Sequence, residues 1–165
     1  MGLFPADIEQ AAAEIIAGFS GKGLMVVTAE SCTGGLIAGA LTEIAGSSAV
    51  VDRGLVTYTN TAKTELLGVK PETLSSHGAV SRETALEMAK GALLNSPAAI
   101  SIAVTGIAGP GGGSELKPVG LVHLAASDRD GKVLHREMRY GDIGRSDVRL
   151  ATVRTALEML AELAS

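Results

Sequence analysis

Two side chains in this sequence, a serine and a lysine, have the chemistry of a nucleophile and its base. Ser31 stands in residues 29–35, AESCTGG, and Lys63 lies further along the chain. A lysine acts as a base only when desolvation or a neighbouring cation keeps its amine neutral. We hypothesise that Ser31 attacks a carbonyl carbon while Lys63 accepts its proton and later donates it to the leaving group. The alternatives are an ordinary helix-capping serine and a solvated lysine on a helix.

The segment around Ser31 is expected to form a tight turn between a strand and a helix. Residues 24–28 are apolar and β-branched, and apolar residues recur at helical spacing after position 35. Unpaired N–H groups at the start of that helix would suit an anion. We expect backbone N–H groups near Cys32, Thr33 and Gly34 to hold a developing oxyanion. No histidine neighbours Cys32, so its thiol is interpreted as a packing group.

Three further features offer groups for the same chemistry. Tyr58 ends an expected strand rich in Val and Thr, five residues before Lys63, and could orient that lysine or relay its proton. Residues 106–113 hold five glycines and could form a backbone nest for phosphate, a lid or a flexible connection. Arg145 and Arg149 flank the start of the last helix and could clamp phosphate or form surface ion pairs.

The periodicity predicts alternating strands and helices that end in a hairpin and a long helix. Strands are expected at 24–28, 49–58, 98–105, 119–127 and 133–140. Helices are expected at 7–20, 36–45, 62–67 (capped by Asn60 and Thr61), 71–77, from a cap at Ser81 to about residue 94, and 147–164. This order predicts an α/β fold, a single-domain three-layer α/β/α sandwich over residues 1–165 with a mixed sheet of about five strands. Ligands collect outside the carboxyl ends of such strands, where residues 31–35, 58–63 and 105–113 are expected to converge.

Composition excludes several classes of function. With a net charge of −4 and 2% aromatic residues, the chain has neither a basic patch nor stacking groups for nucleic acid. The single cysteine, the absence of a cationic leader and the absence of a membrane-length apolar run predict a cytoplasmic protein without membrane contact. His77, His123 and His135 are far apart in sequence, which gives little support for a metal site. The alanine-rich, weakly charged composition makes a symmetric homodimer plausible.

Taken together, these residues resemble the nicotinamide-nucleotide amidohydrolase family, the C-terminal domain of the competence/damage-inducible CinA proteins. The resemblance covers nearly the whole chain. It rests on residues 29–35, the pattern Tyr58-x-Asn60-x-x-Lys63, and residues 66–69 (LLGV), 78–81 (GAVS), 104–112 (VTGIAGPGG) and 117–120 (KPVG).

The resemblance implies hydrolysis of the carboxamide of nicotinamide mononucleotide to nicotinate mononucleotide and ammonia. It implies catalysis by Ser31, Lys63 and Tyr58 without a metal or cofactor. The substrate-binding positions it implies are Glu30, Cys32, Thr33, Gly34, Asn60, Thr105, Gly106, Gly111, Gly112 and Arg145.

Two departures from the family pattern qualify this assignment. The family's compact Gly-Asp-Arg appears here as residues 141–145, GDIGR, which favours Arg145 over Arg149 as the phosphate ligand. The N-terminal nucleotide-hydrolysing domain of larger members is not expected in this chain.

Two readings of a different class stay open at the level of sequence. One is a regulatory module that binds a nucleotide without reacting with it. The other is a competence or DNA-damage partner protein, against which the acidic, aromatic-poor composition argues. The presence of Ser31 together with Lys63 favours the enzyme.

Overall fold

The fold is built on one five-stranded mixed sheet. The structure, a computed structural model, describes residues 2–165, so residue 1 of the expected domain lies outside the described residues. The strands are β1 (Val26–Glu30), β2 (Val51–Val56), β3 (Ile100–Gly106), β4 (Leu121–Asp128) and β5 (Val133–Arg139). Their order is β2-β1-β3-β4-β5. β1 runs parallel to β2 and β3, while β4 is antiparallel to β3 and β5.

Helices cover both faces of the sheet. They are α1 (Ala6–Lys22), α2 (Leu36–Thr42), α3 (Asn60–Leu67), α4 (Pro71–His77), α5 (Arg82–Leu94) and α6 (Arg145–Ala164), with a short 3₁₀ turn at Ser47–Ala49. Helices α1, α2 and α6 pack on one face, where Ile102 and Val104 of β3 enter a core rich in isoleucine and leucine. Helices α3, α4 and α5 cover the other face, where Ala103 enters a core rich in alanine. The predicted α/β/α sandwich is therefore confirmed.

Element boundaries differ from the sequence expectations in places that bear on the site. β1 extends to Glu30 instead of ending at residue 28, so the turn follows a buried carboxylate. The cap of α3 is Thr59, whose hydroxyl accepts a hydrogen bond from the Ala62 amide at 3.0 Å. Asn60 therefore lies inside the helix and does not cap it. The extended backbone of Thr59 is the conformation that an N-cap residue requires.

The chain order of the strands creates a crevice at the carboxyl end of β1. From β1 the chain passes to β2 on one side, and it later enters β3 on the other side. Connections that leave in opposite directions open a crevice between them, which is where open α/β sheets bind ligands. Ser31 follows β1 directly, and its N–H donates to Val104 O of β3 at 3.0 Å. No helix among residues 2–165 has the length and apolar character needed to cross a membrane.

Candidate active site

The amine of Lys63 lies beside the hydroxyl of Ser31 in the crevice. Lys63 Nζ is 3.0 Å from Ser31 Oγ, and it also donates to Thr57 O at 2.9 Å and to Tyr58 O at 3.2 Å. Only 1% of the Lys63 surface is exposed. A solvated helix charge therefore does not describe this lysine.

The three neighbours of the Lys63 amine match the needs of both of its protonation states. A neutral amine has two N–H groups and one lone pair, and the carbonyls of Thr57 and Tyr58 accept two hydrogens. The lone pair is then left for the hydroxyl proton of Ser31. After protonation, the ammonium group donates three hydrogens to the same three oxygens. The amine can gain and lose a proton without leaving a buried polar group unpaired.

Burial also favours the neutral form of the amine. Desolvation lowers the pKa of Lys63 from its ordinary value, and a smaller opposing effect comes from nearby Cys32. Among residues 2–165, no carboxylate forms a salt bridge with Lys63. A lysine with a lowered pKa can serve as a general base nearer neutral pH than an exposed lysine can.

Helix α3 fixes the position of this lysine. Lys63 lies in the first turn, and its own N–H donates to Thr59 O at 3.1 Å. At the other end of the helix, Val69 N–H donates to Lys63 O at 3.2 Å. The N-cap and the first turn together hold the base against the crevice.

Glu30 occupies the N-terminus of α2, where an anion was expected to bind. Its carboxylate is fully buried and accepts hydrogen bonds from Thr33 Oγ1 at 2.6 Å, Ile37 N at 2.9 Å and Ala38 N at 3.0 Å. The charge compensates the positive end of α2 from within the protein. Both side chains are buried and support the turn from inside, which contradicts a side-chain contact of Glu30 or Thr33 with substrate and leaves only their backbone for that role.

Three backbone amides of the turn after Ser31 lack a protein acceptor. Gly34 adopts a φ of 58°, and its N–H donates to Ser31 O at 3.0 Å, so the Gly34 amide is not available as expected. Within the described part of the chain, the amides of Cys32, Thr33 and Gly35 donate to no protein acceptor, and of these residues Cys32 lines the cleft described below. The thiol of Cys32 is buried, and burial raises the pKa of Cys32 to about 12. The thiol thus stays protonated, and the backbone is the functional part of this residue.

The crevice contains a small cleft with a volume of about 180 Å³. A cavity of about 150 Å³ accommodates a benzene ring, so this cleft suits one six-membered ring. Thr105 Oγ1 donates to Ala79 O at 2.8 Å and ties two of its walls together. The lining residues are Ser31, Cys32, Tyr58, Lys63, Ala79, Val80, Thr105, Gly106, Ala108 and Arg145.

Arg145 and Tyr58 lie together among the residues that line the cleft. Arg145 Nη1 donates to Gly109 O at 2.7 Å, and Nη2 donates to Tyr58 Oη at 3.2 Å. The Tyr58 residue is 58% exposed, and it contacts Lys63 through its carbonyl oxygen. The Tyr58 hydroxyl accepts from Arg145 and has no hydrogen bond to Lys63 among the described residues, so the hydroxyl relay considered from the sequence stays a prediction. Arg149 instead donates hydrogen bonds to Cys32 O and Thr33 O in the nucleophile turn, which is the turn of residues 31–35 that begins with Ser31.

Comparison with known proteins identifies the family. The family model described as CinA C-terminal domain matches residues 8–164. The chain belongs to the CinA C-terminal domain family. A nicotinamide-nucleotide amidohydrolase PncC of Enterobacter agglomerans is 49% identical, over 92% of this chain and 92% of that protein. A protein of the same name from Escherichia coli K12 is 46% identical, over 94% of this chain and 93% of its own length.

Solved structures and longer relatives agree with this assignment. The competence/damage inducible protein CihA from Agrobacterium tumefaciens superposes with a TM-score of 0.99 at 72% identity, with both chains covered completely. A competence damage-inducible protein A from Klebsiella pneumoniae gives a TM-score of 0.89 at 39% identity, covering 94% of this chain and 95% of that one. Some relatives are longer: this chain spans 33% of a putative competence-damage inducible protein of Caldicellulosiruptor bescii, at 52% identity over 84% of this chain.

Three predicted contacts lie outside the cleft of this CinA-family chain. Asn60 lines a separate depression between α3 and α4. Gly111 and Gly112 line another, beside Arg139 and Asp142, because the loop turns away from the cleft after Gly109. Conversely, Thr57, Ala79 and Ala108 were not singled out as site residues. They contribute a carbonyl oxygen or a small apolar wall, and neither leaves a side-chain signal in a sequence.

None of the histidines in the described part of this CinA-family chain hydrogen-bonds to Ser31 or Lys63. His123 Nδ1 is 3.0 Å from His135 Nε2 on the neighbouring strand, and the two rings stack. His77 Nδ1 lies 3.7 Å from Glu83 at the surface. Across residues 2–165, no group of three His, Cys, Asp or Glu side chains is arranged to hold a metal ion.

Proposed function

We propose that this chain hydrolyses the carboxamide of nicotinamide mononucleotide to nicotinate mononucleotide and ammonia. The observation that carries the proposal is the 3.0 Å contact between the buried Lys63 amine and the Ser31 hydroxyl. The names of the relatives with 46% and 49% identity supply the substrate class, a nicotinamide nucleotide.

The first half of the reaction forms an acyl-enzyme. Ser31 Oγ attacks the carboxamide carbon while Lys63 Nζ takes the hydroxyl proton. The carbonyl oxygen becomes an oxyanion, which the amides of Cys32 and Thr33 stabilise. The carbon–nitrogen bond then breaks, Lys63 returns the proton to the leaving nitrogen, and ammonia departs. The nicotinoyl group is left as an ester on Ser31.

The second half of the reaction releases the acid. Water attacks the ester carbon and gives a proton to Lys63, and a second oxyanion forms at the same amides. The bond to Ser31 Oγ breaks, and Lys63 protonates that oxygen to restore the hydroxyl. The product leaves as the acid with one oxygen from water, and its remaining proton passes to solvent to give the carboxylate. The same base thus serves both halves of the reaction.

The shape and charge of the cleft support a nucleotide substrate. The cleft volume of about 180 Å³ accommodates the pyridine ring, so the ribose and phosphate extend toward the mouth. Arg145, held by Gly109 O and the Tyr58 hydroxyl, supplies a cation there for the phosphate. Thr105 and Gly106 contact the ring, while Gly111 and Gly112 reach the substrate only if their loop closes over it.

The test measures ammonia release from nicotinamide mononucleotide by the wild type and by Ser31→Ala and Lys63→Met. Loss of a nucleophile or its base reduces kcat on the order of 10³-fold or more. Lys70→Met removes an exposed lysine and serves as the matched control, with wild-type turnover expected. Circular dichroism checks that each variant is folded. Full turnover by Ser31→Ala would exclude this mechanism.

The same experiment separates the rival readings. A regulatory module would bind the nucleotide tightly and release no ammonia, and Lys63→Met would leave its affinity unchanged. A metal-independent reaction predicts that EDTA leaves the rate unchanged. A cytoplasmic location and a symmetric dimer stay predictions from composition.

A further inference from the structure

The guanidinium of Arg149, on α6, donates hydrogen bonds to backbone carbonyls of the nucleophile turn. Nε donates to Cys32 O at 3.0 Å, and Nη2 donates to Thr33 O at 3.1 Å. In the described part of the chain, no acid pairs with Arg149, whereas Arg154 on the same helix pairs with Asp7 at the surface. Arg149 is therefore a cation whose hydrogen bonds go to the carbonyls beside Ser31.

Peptide geometry connects these carbonyls to the free amides of the turn. Cys32 C=O and Thr33 N–H belong to one planar trans peptide and point in opposite directions. A guanidinium that holds Cys32 O therefore also sets the direction of Thr33 N–H. In the preceding peptide, Gly34 N–H holds Ser31 O and sets the direction of Cys32 N–H in the same way.

The charge of Arg149 adds to this geometric effect. Hydrogen bonds from an ionised donor are stronger than neutral ones, and a cation at the carbonyl end of a peptide polarises its N–H into a better donor. The guanidinium lies against the turn, because a Cβ on Gly34 would be 3.3 Å from Arg149 Nη2. An oxyanion bound by Thr33 N–H would experience both the aligned amide and the nearby positive charge.

We propose that Arg149 is a positioning residue for the oxyanion, acting through the Thr33 amide, and is not a phosphate ligand. The inference rests on the proposed amidase activity. A phosphate that recruited Nε or Nη2 would draw the guanidinium off the turn. In this proposal Arg145 binds the substrate phosphate at the cleft, and Arg149 positions the turn that carries Ser31.

The first test is the kinetics of Arg149→Met with nicotinamide mononucleotide. Removing a whole oxyanion donor costs about 10²- to 10³-fold in kcat. Because the amide itself remains in Arg149→Met, we expect kcat to fall about 10- to 100-fold with KM little changed. Arg149→Lys keeps the positive charge but lacks the planar guanidinium that reaches two carbonyls. Its kcat should therefore lie between those of the wild type and Arg149→Met. Arg154→Met, on the same helix, is the matched control and should retain wild-type kinetics.

The second test is inhibition by pyridine-3-boronic acid, which forms a tetrahedral anionic adduct with a serine oxygen. The adduct places a hydroxyl oxygen of the negatively charged boronate where the oxyanion forms. Arg149→Met should weaken this inhibition by the same factor as kcat, while the affinity for nicotinate mononucleotide is unchanged. A merely structural role would instead lower the melting temperature and weaken both ligands together. If the methionine variant does not fold, Arg149→Lys supplies the same comparison.

Three outcomes separate the possibilities. Wild-type kcat and boronic acid affinity in Arg149→Met would overturn the inference. A rise in KM with unchanged kcat would also overturn it and would make Arg149 a substrate ligand. If the wild type releases no ammonia, the proposed function itself fails and the inference fails with it.

Discussion

The chemistry at residue scale depends on the state of one buried amine. The oxygens around Lys63 Nζ are all neutral, two from backbone carbonyls and one from a hydroxyl. Neutral dipoles stabilise an ammonium group less than a carboxylate would, while burial penalises its charge. By withholding a counter-ion, the protein favours the uncharged form of the Lys63 amine more than an exposed site would.

This arrangement predicts how the rate depends on pH. Burial lowers the pKa of Lys63, and only the neutral amine accepts the Ser31 proton. Therefore kcat/KM should rise with pH along a one-proton limb whose midpoint lies below the ordinary lysine value of about 10.4. Stopped assays of ammonia across the pH range measure the limb. A profile that is flat below that value would contradict the assignment of Lys63 as the base.

At the scale of elements, short pieces of secondary structure hold the reacting groups. The positive end of α2, after Ser31, is neutralised by Glu30. The Glu30 carboxylate accepts hydrogen bonds from the Ile37 and Ala38 amides. The turn between β1 and α2 is thereby tied at both ends, with Ser31 N–H on β3. Helix α3 approaches from the opposite face of the sheet and brings the base.

The N-cap of α3 should influence both stability and catalysis. Thr59→Ala removes the hydroxyl that accepts from Ala62 N, which costs about 1 kcal/mol of stability. Because Lys63 lies in that first turn, we also expect kcat to fall several-fold. Ile16→Val, a core substitution on α1 with a cost of about 1 kcal/mol, is the control and should leave kcat unchanged. Denaturant titration and ammonia assays provide the two measurements, and equal kcat in both variants would count against this role of the cap.

At the scale of the whole molecule, the distance between α3 and α5 sets where the base lies. The two helices meet at Gly91, where a Cβ would lie only 1.8 Å from Leu67 O. Because Gly91 has no side chain, the backbone of α5 lies directly against the Leu67 carbonyl at the end of α3. The expected dimer stays a prediction at this scale.

Gly91→Ala should therefore displace α3 and weaken catalysis. The overlap with backbone forces the helices apart, at a cost of about 1–3 kcal/mol, and ammonia release should fall because Lys63 moves away from Ser31. Gly18→Ala is the matched control, since Gly18 is an exposed position on α1 and no atom lies within 4 Å of the added methyl group. The control should gain up to about 1 kcal/mol and keep its activity. Thermal melts measure stability and ammonia assays measure turnover. If melting temperature and turnover change equally in Gly91→Ala and Gly18→Ala, this packing role is wrong.

The local elements were predictable because their signals are local. Period and turn residues identify the five strands and the α/β/α layering, and the Thr59 cap was missed by one position because adjacent polar residues offer similar capping chemistry. The residue types in 29–35 and 58–63 indicated Ser31 and Lys63, and the family resemblance implied the same pair.

The sequence by itself determined which residues have chemistry to offer and which segments end at the carboxyl edge of the sheet. Tertiary structure alone decided the partners: Glu30 turns inward to α2, Arg149 holds the Cys32 and Thr33 carbonyls, and Arg145 joins Tyr58 at the cleft. The physical reason is that each of these contacts depends on strand order and helix packing. Backbone carbonyls and amides, which carry much of this site, look the same in every residue of a sequence.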